Sequence, residues 1–269
     1  MILCSTIREI IVNAAEKFGD APAIRYKVGK NEVEDKSYQN LKEDSESFSN
    51  VLKTLGELGN HIAVIGMTSY QWMVTYLGTV NSASVAVPLD VSLPTDEACE
   101  LIDRGDVTVL VIDEVRKDLM AVVKERCPKL KYLISMQKTE HDENILSFAR
   151  LLKENQGGFD FVPDADSLCT IMFTSGTTGK SKGVMLTHRN LAENATCLDM
   201  KIPERGTILS VLPVHHAYCL TMDFLKGFTL GTTICINDSL LRVAKNIKLF
   251  QPDMILMVPL MIETMAKKL

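Results

Sequence analysis

Residues 61–87 read HIAVIGMTSYQWMVTYLGTVNSASVAV, and the change of period within this stretch decides the fold. Ile62 to Met67 is a short apolar run of strand length, Tyr70 to Asn81 carries a helical pattern, and Val85 to Val87 returns to strand. The same alternation continues downstream with a helix over Thr95 to Asp103, a strand over Val107 to Ile112, a helix over Arg116 to Arg126 and a strand over Leu130 to Ser135. Strand and helix repeating at this spacing imply parallel strands joined by helical crossovers, an α/β layer.

Upstream, Thr6 and Glu9 form a capping-box pattern. Ile7, Ile10, Ile11, Ala14, Ala15 and Phe18 then recur at helical spacing up to Gly19. Ala23 to Tyr26 and Val33 to Asp35 flank Gly29-Lys30-Asn31 as a hairpin, and Ser37 caps a helix that carries Leu41, Phe48, Val51, Leu52 and Leu55. Polar breaks fall at 138–144 and 155–166. Beyond them, Leu168 to Phe173 and Gly183 to Thr187 read as strands and His188 to Met200 as helix. Thr207 to Val211, Thr232 to Ile236 and Met254 to Val258 are further strands, with helical stretches around Thr221 and Ala244 and a final helix from Pro259. No internal repeat is present.

The chain has 269 residues, 46% hydrophobic and 23% charged, a globular composition able to bury a sizeable core. A net charge of −5 gives no global attraction for nucleic acid or an anionic membrane. Seven scattered cysteines with no Cys-x-x-Cys pair favour reduced thiols and a cytoplasmic setting. No signal peptide is expected at the N-terminus. The longest apolar stretch, Met254 to Ile262, is too short to span a bilayer and contains Pro259.

Between two of these strands lies Thr174-Ser175-Gly176-Thr177-Thr178-Gly179-Lys180-Ser181-Lys182-Gly183. Glycines let backbone amides turn toward an anion, hydroxyls add donors and the lysines add positive charge, which is the chemistry of a phosphate cradle. A Walker-type loop is excluded by spacing, because the glycine it needs falls at Thr174. The plainer alternative is a solvated Ser/Thr/Gly turn, disfavoured by ten consecutive suitable positions after a buried strand.

Extended through Val184-Met185-Leu186-Thr187-His188, this run resembles the signature loop of the adenylate-forming superfamily, which includes acyl-CoA synthetases, peptide-synthetase adenylation domains and luciferases. Ser181 departs from the pattern, since most members carry proline there. Leu212-Pro213-Val214-His215-His216-Ala217-Tyr218 resembles the second recurrent motif of that superfamily, and the doubled histidine with tyrosine looks most like bacterial long-chain fatty acid CoA ligases. The resemblance implies two stacked layers of mainly parallel strands with flanking helices, the N-terminal domain of an acyl-CoA synthetase spanning 1–269. Within it, 60–200 would form one α/β subdomain, and 1–59 with 201–269 part of a second.

By the same resemblance the chemistry is carboxylate plus ATP to acyl-AMP and pyrophosphate, followed by thioester formation with coenzyme A. Thr174, Ser175, Gly176, Thr177, Thr178, Gly179, Lys180 and Lys182 would bind the nucleotide phosphates, and His216 would lie beside the activated carboxylate; the role of His215 stays open. The Mg2+ ligand, the ribose-binding Asp and the lid lysine of the pattern have no counterpart in the sequence, and a zinc site at the histidines and Cys219 lacks further ligands. The chain is thus expected to be a truncated, by itself inactive, AMP-forming ligase that self-associates through Ile255, Leu256, Val258, Leu260, Met261 and Met265. The alternatives are adenylation of another carboxylate, or a noncatalytic nucleotide-binding module.

Overall fold

Thr6 and Glu9 cap the first helix reciprocally, with Thr6 Oγ1 accepting from the Glu9 amide at 3.1 Å and the Glu9 carboxylate accepting from the Thr6 amide. A computed structural model describes residues 3–29, 32–174, 181–197 and 203–266, without the side chains of 260 and 264–266. The elements run α1 (Ile7–Phe18), β1 (Pro22–Lys27), β2 (Val33–Ser37), α2 (Tyr38–Thr54), β3 (His61–Ile65), α3 (Tyr70–Val80), β4 (Val85–Leu89) and α4 (Thr95–Arg104). Then follow β5 (Val107–Ile112), α5 (Lys117–Met120), α6 (Val123–Arg126), β6 (Tyr132–Ser135), β7 (Leu146–Ser147), α7 (Phe148–Glu154), β8 (Leu168–Thr174), β9 (Lys182–Thr187) and α8 (His188–Cys197). The rest comprises β10 (Thr207–Ser210), α9 (Ala217–Cys219), a π-helical turn (Leu220–Leu225), α10 (Lys226–Leu230), β11 (Thr233–Ile236), α11 (Val243–Phe250) and α12 (Pro259–Ala266).

Two mixed sheets result, in the order β10-β11-β1-β2 and β7-β6-β5-β3-β4-β8-β9. Both are parallel except at one edge, where β2 and β9 each run antiparallel to their neighbour. Period-two burial shows why the sheets are covered on both faces. Ile62 and Val64 face one cluster that also holds Trp72, Tyr76 and Phe48, whereas Ala63 and Ile65 face a second cluster with Ala98, Leu101 and Ile102 of α4. In the smaller sheet Ile234 and Ile236 join the first cluster, while Leu209 and Cys235 pack on Val243 and Phe250 of α11. The first cluster is therefore a helical layer between the sheets, in which α2 touches β1 and β2 and α3 touches β3 and β4.

Helices α2 and α3 cross closely enough that a Cβ on Gly78 would lie 2.6 Å from the Ser45 carbonyl oxygen and 2.7 Å from Phe48 Cβ. Ser49 Oγ uses that proximity to donate to the Gly78 carbonyl at 2.8 Å. The buried His188 ties the same layer together. Its Nδ1 accepts from the Ile7 amide at 3.4 Å, and its ring also hydrogen-bonds the Val80 backbone carbonyl. Ile7 opens α1 and Val80 closes α3, so one imidazole serves a donor and an acceptor that the helices leave unpaired.

Two expected elements differ. Arg116 to Arg126 is not one helix but a 3-10 turn over Glu114–Arg116 followed by α5 and α6. The break falls at the β-branched pair Val122-Val123, and the buried Arg116 guanidinium donates to the Val91 carbonyl at 3.1 Å instead of lying on a solvated helix face. Met254 to Val258 makes a single parallel bridge, Ile208 with Met254, rather than a strand. Pro252 and Pro259 bracket it, and the Asp253 carboxylate takes up the Thr207 amide at 2.7 Å. All seven cysteines are free thiols; six are buried and Cys197 is exposed. No described helix is long and apolar enough to cross a membrane.

Candidate functional site

Parallel strands aim their carboxyl ends in one direction, and here the two sheets aim theirs at a common space. A cavity of about 670 Å³ is lined by Gly66, Met67 and Thr68 after β3, Asp90 to Ser92 after β4, Ser210 to His216 at the end of β10, and Asn237 and Ser239 after β11. In the larger sheet β4 and β5 lie on opposite sides of β3, so the chain reverses its order at the point where this space opens. Asp90, His215 and His216 also border a second cavity of about 350 Å³, whose far wall is Phe173, Thr174 and Ser181 at the base of the Ser/Thr/Gly/Lys loop. Two segments about 40 residues apart in sequence thus share one cleft.

The loop base is a hairpin stem. Thr174 pairs with Lys182 and Phe173 with Gly183 across antiparallel β8 and β9. Arg104, at the end of α4, donates to the Ser181 carbonyl at 2.8 Å and sits 5.8 Å from the Phe173 ring centroid, fixing the stem to the sheet's flanking helix. Lys182 is exposed and enters no ion pair among the described residues, which leaves its ammonium available to an anion. Thr174 is exposed beside it. Ser175, Gly176, Thr177, Thr178, Gly179 and Lys180 lie outside the described residues.

His215 and His216 occupy different environments although their rings are 4.2 Å apart, tilted at 55°. The His215 side chain is 8% exposed and its Nε2 lies 3.6 Å from Asp90 Oδ2. Burial pushes its pKa down to about 4; the neighbouring Asp90 works against this and His216 with it. His216 is exposed and stands at the N-cap of α9. For Asp90, burial would raise the pKa, but the Ser92 amide and hydroxyl, both donating to Oδ1 at 2.8 Å, and the two histidines hold it below its ordinary value.

Behind the cavity wall Asp223 is fully buried in the π-helical turn, close to Cys219 and Ser210. Burial pushes its carboxyl up to about 6, offset in part by those two neighbours. Among the described residues no group of three or more His, Cys, Asp or Glu is placed to hold a metal ion.

Sequence reading singled out the loop and the His215-His216 segment but not Asp90, Arg104 or Asp223. A signal for Asp90 was available: it follows directly on the apolar run Val85 to Leu89, at a parallel strand's carboxyl end. Arg104 acts through tertiary neighbours that no spacing encodes, and Asp223 is set apart by its complete burial.

Two α/β sheets meeting at a cleft, with the stem of a Ser/Thr/Gly/Lys loop on its rim, define an α/β protein with a candidate ligand site at the sheets' carboxyl ends. Residues 11–269 match the AMP-binding enzyme family, and the chain belongs to it. A long-chain-fatty-acid–[acyl-carrier-protein] ligase of Arabidopsis thaliana is 26% identical over 96% of the chain and 38% of its own length. A crotonobetaine/carnitine–CoA ligase of Salmonella paratyphi A is 22% identical over 96% of the chain and 52% of its own length. The chain thus spans about half the length, or less, of these relatives. A long-chain-fatty-acid-CoA ligase of Archaeoglobus fulgidus superposes with a TM-score of 0.86 at 22% identity, covering 100% of this chain and 55% of that one. The anthranilate CoA ligase AuaEII, solved with anthranoyl-AMP, gives 0.85 at 17% identity over 95% and 50%. The fold is that of the N-terminal domain of adenylate-forming ligases.

Proposed function

We propose that the chain is the N-terminal, nucleotide-binding part of an ATP-dependent, AMP-forming carboxylate–CoA ligase acting on a long-chain fatty acid. The observation that carries this reading is the shared cleft, which brings Thr174 and Ser181 of the loop's stem to the same opening as His215 and His216, with Lys182 paired to Thr174 in the stem. In this reading the loop residues 174–180 and Lys182 hold the β- and γ-phosphates and stabilise charge on the departing pyrophosphate, by position and electrostatics rather than covalent chemistry. His216, exposed at the mouth of both cavities, meets the carboxylate. The largely apolar lining, with Met67, Val91, Val211, Leu212 and Val214, supports an acyl substrate. Residues 60–200, and 1–59 with 201–269, form two subdomains on either side of the cleft.

Carboxylate-dependent ATP–pyrophosphate exchange in the longest reading frame containing this chain tests the proposal, run with a fatty acid series, crotonobetaine and anthranilate. Exchange that rises with chain length supports the fatty acid reading, and exchange with either of the other acids alone replaces it. Lys182→Ala should slow exchange roughly tenfold to a hundredfold, the value of one charge-assisted contact. An unchanged rate would remove Lys182 from the phosphate site.

A further inference from the structure

We propose that Asp90 is a positioning residue for His215, holding that imidazole as the wall between the two cavities with its Nε2–H turned toward Asp90 Oδ2. The inference about the reaction rests on the ligase reading above; the inference about the pair does not. Three observations carry it. His215 Nε2 is buried with no hydrogen-bond partner, and the Asp90 carboxylate oxygen Oδ2 lies 3.6 Å from it, just beyond hydrogen-bond length. Asp90 Oδ1 is already engaged by the amide and hydroxyl of Ser92, which fixes the carboxylate plane and leaves Oδ2 toward the ring. Finally, Asp90 and His215 line both cavities, so the orientation of this ring sets the shape of each.

A neutral imidazole has one N–H, and the group facing each nitrogen decides where it sits. A carboxylate opposite Nε2 selects the Nε2–H form, which leaves Nδ1 as an acceptor. Without the charge on Asp90 the Nε2–H form loses its carboxylate partner, and the ring can turn. The charged and titratable groups facing His215 are Asp90 from the end of β4 and His216 from its own segment.

Imidazole nitrogen NMR on this chain, with side-chain-labelled histidine, tests the pair without any ligand. Wild type should show His215 as the Nε2–H tautomer, titrating well below an ordinary histidine. Asp90→Asn should move the population toward Nδ1–H and lower the titration midpoint further, because a favourable negative charge is lost; Asp90→Glu should restore part of both. Ser92→Ala, which frees the carboxylate without removing it, should shift the same signals less and keeps the test open if Asp90→Asn does not fold. A His215 spectrum and titration unchanged in a folded Asp90→Asn or Ser92→Ala protein overturns the proposal. In the longer reading frame, Asp90→Asn should lower the exchange rate at saturating substrate about tenfold with little change in KM for ATP. Absence of exchange in wild type would count against the ligase reading alone, whereas normal exchange in Asp90→Asn with altered His215 signals would remove Asp90 from the reaction.

Discussion

Two buried imidazoles, one in the helical layer and one at the cleft, are held near the same pKa of about 4 by burial and differ in everything else. At His188 the ring serves the opening amide of α1 and the closing carbonyl of α3, so both sides are hydrogen-bonded within the fold. At His215 one nitrogen is buried beside a carboxylate and has no hydrogen bond. Burial alone therefore does not distinguish the two rings. Pairing does: a satisfied ring stabilises the fold, and an unsatisfied one leaves some stability unrealised.

The same substitution at both positions is the sharpest way to break this contrast. His188→Leu orphans the Ile7 amide and the Val80 carbonyl inside the core, and should cost about 3 kcal/mol in urea unfolding at pH 7. Acid gives the next largest effect. Both histidines have folded pKa values near 4 against 6.5 unfolded, so between those values the unfolded chain binds protons that the folded one refuses. Their stabilisation is complete above pH 6.5 and is lost as pH falls toward 4. Between pH 7 and 5 this amounts to roughly 2 kcal/mol per histidine. Asp223 works the other way, since its folded pKa of about 6 exceeds the ordinary 3.8 and it favours the folded state as pH falls. The net result is a fall in unfolding free energy, and His188→Leu should flatten it by about half or more. The smallest effect is expected from His215→Leu, which removes an unsatisfied nitrogen and should change stability by less than about 1 kcal/mol. Equal losses at 188 and 215 in the same urea series would erase the distinction.

How much of this was readable in advance follows from the range of the forces involved. The β3 to β6 strands declared themselves because parallel strands covered on both faces must be apolar throughout, and the caps of α1 and α2 are local patterns. Strand β7 is two residues long and α7 only seven, too short for a period to register. The break of 116–126 depends on where Arg116 finds a buried acceptor, and the antiparallel direction of β9 on which neighbour β8 exposes. At the site the loop and the doubled histidine were visible as chemistry. The difference between the two histidines was not, because it is made by burial in the tertiary fold, beside Asp90, more than 120 residues away in sequence.

The distribution of thiols offers a practical handle. Six of the seven cysteines are buried, and burial pushes Cys127, Cys169 and Cys235 up to about 12, so their reactive thiolate is scarce at neutral pH. Cys197 is exposed at the end of α8, the helix that begins with His188. A maleimide dye added to the folded native sequence should therefore attach at one position, reporting on that helix from its far end without any cysteine being removed or introduced.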